Sequence, residues 1–260
     1  GASMYRSGNP TLRDSTFQDS TYQGAPWWDS KQTQSMTIEG VAEKTGILLL
    51  ITATVALATA FTVTSETFFA PLILGFLGSL VLSLFIVFKR SINPSLICAY
   101  SAFEGLFIGG ITWFYEVALD LPGIGIIAAL LTFAILGAML AIYRAGLIAW
   151  NRNLAIAVVS SVVAIFLIYI VSIIGAVTGA YTIPVIHDAT PWGIGFSLFV
   201  VAIGALCLVA DFDFIERGVQ SGARKELEWR AAFGLMMTLV WLYIEILRLL
   251  AKIGVMYARR

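Results

Sequence analysis

Three carboxylates stand where an apolar helix would not ordinarily keep a charge: Glu104, Asp211 and Glu245 each lie inside a long hydrophobic run. A charge in hydrocarbon is costly, so such residues turn inward and serve as ion or proton paths, or are held in structural pairs. Glu245 has a ready partner in Arg248, three residues on and on the same helix face. Both readings of Glu245, an ion-path acid and a structural ion pair, are open at this point. Asp213, Glu216 and Arg217 follow Asp211 closely and read most simply as a solvated helix end. Glu104 precedes Gly105-Leu106-Phe107-Ile108-Gly109-Gly110, a small-xxx-small pattern that lets a neighbouring helix approach closely. The single histidine, His187, sits beside Asp188 and reads as a solvated loop residue.

No nucleophile, base and orienting group can be assembled from these residues, and no HExxH, Walker loop or GxSxG occurs. Cys98 and Cys207 lie in apolar runs without a Cys or His at metal-ligand spacing, and read as reduced, packed and inert. Enzymatic function is disfavoured. An intramembrane aspartyl protease would also use two acids, but its usual sequence context is not found here.

The elements that must position these acids follow from composition. Of 260 residues, 59% are hydrophobic and only 12% charged, with a mean hydropathy of +0.88. A water-soluble fold of this size could not cover so much apolar surface with so few charges, so the chain is read as an integral membrane protein. Its formal net charge is +0, with no basic field to hold nucleic acid by its phosphates.

Roughly 20 apolar residues span a bilayer core. Cutting the chain where charge, Pro or Gly interrupts that length predicts seven helices: Thr45–Thr64, Phe68–Phe88, Leu96–Leu119, Pro122–Tyr143, Leu154–Ala180, Trp192–Ile215 and Ala232–Val255. Basic residues sort onto alternate connections. Lys89 and Arg90 lie in the second, Arg144 and Arg152 in the fourth, and Arg217, Arg224, Lys225 and Arg230 in the sixth, while the first, third and fifth hold none. The positive-inside rule then puts the N-terminus in the cytoplasm and the C-terminus outside, with Arg248 and Lys252 snorkelling toward the outer headgroups. Residues 1–35 are Ser-, Thr-, Gln- and Gly-rich without an apolar period and read as a disordered cytoplasmic tail, its first three residues as a tag scar. Residues 36–260 form the membrane domain. Thr37–Lys44 suits either a short interfacial helix or a polar lead-in to the first span.

Leu208-Val209-Ala210-Asp211-Phe212-Asp213-Phe214-Ile215, followed downstream by Leu242-Tyr243-Ile244-Glu245-Ile246-Leu247, resembles the last two helices of the Bax inhibitor-1 family, the transmembrane Bax inhibitor motif proteins. Asp211 and Ile215 match the sixth-helix pattern, and Leu242 to Ile246 match the seventh-helix pattern with Glu245 in place of Asp. The resemblance covers essentially residues 45–255. It implies an all-α, seven-helix protein, in bacterial members of the plasma membrane, acting as a calcium-permeable leak regulated by pH. It further implies that Asp211 and Glu245 form a buried pair and that a basic residue at the end of the second helix, Lys89 or Arg90, bonds to them.

Two carboxylates brought together in a low-dielectric site cannot both ionise cheaply, so they would share a proton, with a calcium ion as a natural competitor at Asp211 and Glu245. Asp213, Glu104 and Arg248 are the secondary candidates, and no cofactor is expected. Hydropathy alone does not set the two acids level. Glu245 lies 13 residues, about 20 Å, into its span, and Asp211 only four residues, about 6 Å, from the end of its own. A second function class is a regulator that binds and inhibits a membrane-anchored protease. A proton-coupled transporter, the third, would show inverted repeats, and the two halves do not match convincingly.

Overall fold

A computed structural model describes residues 35–183 and 187–258, and the expectation of a disordered tail and a tag scar lies outside these except at residue 35. Among the described residues seven helices are long and apolar enough to cross a membrane. They are α1 (Ile38–Thr62), α2 (Phe69–Phe88), α3 (Pro94–Trp113, continued by a π-helical turn over Phe114–Ala118), α4 (Ile124–Arg144), α5 (Arg152–Thr178), α6 (Pro191–Gln220) and α7 (Leu227–Ala258). The all-α seven-span reading holds, and the protein is an integral membrane protein.

Helix starts are set by short polar side chains that satisfy first-turn amides. Thr37 accepts from Gly40 N, Asn151 from Leu154 N, and Thr190 from Gly193 N with Pro191 behind it. The Thr37 cap starts α1 seven residues ahead of the apolar run, so Ile38–Lys44 is neither a separate interfacial helix nor an irregular lead-in. At the other end of the chain, α6 continues through Asp211, Asp213 and Glu216 to Gln220, and α7 begins at Leu227. The long sixth connection expected from hydropathy is thereby reduced to a few residues. Charged helix ends are invisible to a hydropathy window but cost the helix nothing once they reach water.

The seventh helix is the centre of the bundle: 61% of its most apolar window is buried, against 11% for α5, which lies at the periphery. Leu48, Ile86, Ile97, Tyr100, Phe233 and Met236 join α1, α2, α3 and α7 in one core cluster. Leu208, Phe212, Leu235, Leu239 and Leu242 join α6 to α7 in another. The small-xxx-small pattern does what its spacing suggests. Gly105 and Gly109 let α3 lie directly on α1, where a Cβ would stand 2.8 Å from Thr52 O and 2.6 Å from Ala56 O respectively. Thr52 Oγ1 donates to Ser101 O at 2.8 Å across the same contact.

Candidate functional site

The polar side chains inside the bundle fall into separate groups at different depths. The first surrounds Asp211. Its neighbour on α7 is Gly234, where an added Cβ would lie 3.9 Å from Asp211 Oδ1, and the Thr238 hydroxyl stands within its reach. Thr238 Oγ1 donates to Gly234 O at 3.2 Å, so its single proton is already engaged. Asp211 Oδ2 is buried without a hydrogen-bond partner. Beside it opens a cavity of about 240 Å³ lined by Ala210, Asp211, Phe214, Arg230, Ala231 and Gly234. Arg230 also donates to Ile86 O at 3.0 Å, tying the end of α2 to the start of α7.

The basic residue at the Asp211 cavity is thus Arg230, not Lys89 or Arg90. Both of these are exposed at the end of α2, with no ion pair among the described residues. Arg230 belongs to the sixth connection in the linear sequence, and only helix packing brings it under α2.

The second group surrounds Glu245. Tyr169 of α5 donates to Glu245 Oε1 at 2.7 Å, and Arg248 Nη1 lies 3.4 Å from the same oxygen and 2.9 Å from the Tyr169 hydroxyl. The guanidinium also lies over the Tyr169 ring, 5.1 Å from its centroid. Its Nη2 is 3.2 Å from His187 Nδ1, while His187 Nε2 meets Ser172 Oγ. An arginine can only donate, so Nδ1 is the acceptor and Nε2 carries the proton that goes to Ser172. Lys252 donates to Ser197 Oγ at 2.8 Å and to Gly193 O at 3.1 Å.

Two expectations are corrected here. Arg248 and Lys252 do not snorkel to the surface but turn into the bundle, because acceptors on α5, α6 and α7 await them. His187 is no merely solvated loop residue, since it joins the fifth connection to α5 and α7. The single signal in the sequence was its rarity. Arg248 and Ser172 lie 61 and 15 residues away from it, and no spacing rule connects them.

Asp211 and Glu245 do not meet in this structure. Gly234, which faces Asp211, is 11 residues from Glu245 along α7, a rise of about 16 Å. The buried Leu239 and Leu242 stand between, packed with Leu208. A direct carboxylate pair, and a calcium ion bridging both acids, therefore do not describe this arrangement. Among the described residues no three His, Cys, Asp or Glu side chains come together to hold a metal. Glu104 is buried on α3 with Ser79 of α2 and Tyr100 as partners, in a third group apart from both acids. Asp213 turns to Arg217, 2.8 Å away at the end of α6.

A fourth group was not anticipated. Glu228, fully buried at the start of α7, binds Lys44 Nζ at 2.6 Å, Thr37 N at 2.8 Å and Lys225 Nζ at 3.3 Å. Met36 N donates to Ala223 O at 2.7 Å, and the Met36 side chain packs with Val41, Ile215 and Ala231. The start of α1 is thereby clamped to the α6–α7 connection. In the sequence Glu228 looks like one more loop charge.

The arrangement as a whole is that of a membrane bundle whose polar groups sit on the two most enclosed helices and their neighbours. A family model described as Bax inhibitor 1 like matches residues 9–254. No curated protein and no solved structure matches the chain. With nearly its whole length covered by that family, and with Asp211 on the sixth helix and Glu245 on the seventh, the chain belongs to the Bax inhibitor 1 like family.

Proposed function

We propose that this protein is a pH-sensitive cation leak, with calcium as the permeant ion, in which Asp211 and Glu245 act at two separate stations. The observation that carries the reading is Asp211 Oδ2, buried without a partner beside the Arg230 cavity. A buried acceptor left unmade costs about 1–3 kcal/mol, and the groups that relieve it are a proton or a cation. The cavity lies on the side of the basic connections, the cytoplasmic side by the positive-inside rule, and Glu245 belongs to the opposite half.

Between the two stations Leu208, Leu239 and Leu242 close the path, so conduction requires α6 and α7 to part or slide there. A change of charge at Asp211 biases such a movement because it changes the attraction across the cavity to Arg230. The chemistry at Glu245 is different: its carboxylate is already compensated by Tyr169 and Arg248, which suits an outer gate held shut by a hydrogen-bonded pair.

The test is calcium flux into liposomes carrying the full chain, measured from pH 6 to 8 for the wild type, Asp211→Asn, Glu245→Gln and the double variant. Asp211→Asn is expected to flatten the pH response, and Glu245→Gln to raise the flux while leaving much of that response. Wild-type liposomes that leak no faster than empty ones at every pH would remove the channel reading and leave regulation of a membrane-anchored protease as the alternative.

A further inference from the structure

At the end of the bundle that carries the basic connections, the first turn of α5 and the last turns of α6 enclose an open cleft of about 290 Å³. It is lined by Trp150, Asn151, Arg152, Ala155, Asp213 and Arg217. Three features of this cleft favour an anion. Arg152 is the first residue of α5, where the helix already presents the positive end of its dipole, so an unneutralised guanidinium is in its least favourable place. No hydrogen bond or ion pair among the described residues engages that guanidinium.

Second, the Asn151 side chain and backbone oxygens take the amides of Leu154 and Ala155, both at 2.9 Å. The amides of Arg152 and Asn153 are left with no intrahelical acceptor, as at any helix start. Third, Arg217 is held by Asp213 through Nε at 2.8 Å, a bond that fixes the guanidinium at the rim while using one face of its fork. Two guanidiniums and a helix N-terminus stand against one carboxylate, a net charge of about +1.5. Trp150 belongs to the apolar cluster built on Val158, Ile165, Val200 and Ile203, forming the wall toward the apolar part of the bundle, as an interfacial tryptophan does.

We propose that this cleft binds the phosphate of an anionic phospholipid head group from the leaflet on the basic side. Arg152, Arg217 and the first amides of α5 would hold the phosphate, and Trp150 would border the glycerol. A phosphodiester suits the donors because guanidinium forks and helix-start amides both match phosphate oxygens. A lipid suits the position because the cleft opens at the end of two spanning helices, where basic pockets take anionic head groups. The consequence is structural: α5 is the peripheral helix, and a lipid bridging Arg152 and Arg217 fastens its start to α6.

Native mass spectrometry of the full chain in mild detergent tests this, with phosphatidylglycerol and phosphatidylcholine of matched acyl chains added in parallel. The wild type is expected to retain phosphatidylglycerol at least about fivefold over phosphatidylcholine, and Arg152→Gln/Arg217→Gln to lose most of that preference. Arg144→Gln/Arg224→Gln, which removes as many exposed charges from the same side, is expected to keep it. Arg152→Gln alone, at an exposed residue without protein partners, is expected to lower the preference with the melting temperature unchanged, so a folding defect in the double variant is separated from loss of the site. Inorganic phosphate at millimolar concentration should leave the lipid bound. An unchanged preference in Arg152→Gln/Arg217→Gln, an equal loss in Arg144→Gln/Arg224→Gln, or complete displacement by inorganic phosphate would overturn the proposal, the last by making the cleft a site for free phosphate.

Discussion

The carboxylate of Glu228 occupies the space that a side chain on Gly40 would fill, so the first turn of α1 closes directly over the buried acid at the start of α7. Lys44, Lys225 and the Thr37 amide hold that carboxylate in place, and the helix start adds its own partial positive charge. Breaking a buried, hydrogen-bonded ion pair from one side leaves its partners uncompensated. Glu228→Gln is expected to cost about 1–3 kcal/mol. Gly40→Ala, which pushes the carboxylate from its partners, should cost about as much, and the double variant little more than either, since both changes break the same contact. Thermal unfolding in detergent checks all three. Full additivity would show that Gly40 and Glu228 act independently.

Tyr169→Phe removes the hydroxyl shared by Glu245 and Arg248 and is expected to lower stability by about 1–2 kcal/mol. In double-mutant cycles, Tyr169 and Glu245 should couple by about 1 kcal/mol, whereas Asp211 and Glu245 should be additive within about 0.5 kcal/mol. Strong coupling between the two acids would mean that they meet in a populated state other than this one.

His187 links acidity to the fifth connection. Its partial burial and the neighbouring Arg248 and Lys252 cations lower its pKa, against the smaller opposing pull of Asp188. The folded chain therefore holds the imidazole neutral below the pH at which an undocked loop would protonate. The docking contribution of His187 is complete above the ordinary histidine range, about pH 6.5, and falls as pH drops from there toward the lowered value, because the undocked state binds the proton first. A proton on Nδ1 also removes the acceptor for Arg248. The hydrogen-exchange protection factors of residues 187–190, each rate divided into the intrinsic rate at that pH, should fall between pH 7.5 and 5.5 in the wild type and show no such step in His187→Gln.

The alternation of basic connections predicts a cytoplasmic N-terminus. Ser65 in the first connection and Ser221 in the sixth are both exposed and suit labelling. Ser65→Cys should react with an impermeant maleimide from outside intact cells, and Ser221→Cys only after the membrane is opened. The reverse pattern would exchange the compartments served by Asp211 and Glu245.

Membrane character, seven spans and family were all written in the linear sequence, because each depends on quantities that accumulate along one segment. Apolar length marks a span, and the Asp211 and Glu245 patterns each lie within a single helix. The Gly105–Gly109 contact was legible for the same reason: a small residue every fourth position is a property of one helix face.

Beyond pairs a turn apart on one helix, such as Glu245 with Arg248 and Asp213 with Arg217, tertiary packing decided which charges meet. Hydropathy stopped α6 short of Gln220, since it cannot distinguish a helix that continues in water from a loop. The depth of Asp211 and its separation from Glu245 depend on how α6 and α7 lie against each other, here set in part by the close approach at Gly204, where a Cβ would stand 2.7 Å from Leu242 Cδ2. Arg230 at the Asp211 cavity, His187 against Arg248, and Glu228 beneath Gly40 join residues tens to nearly two hundred positions apart. A buried charge must find a counter-charge or hydrogen-bond partner somewhere in the fold, but its own segment states only the need. The partner is whichever group the packed helices bring within about 3 Å of it.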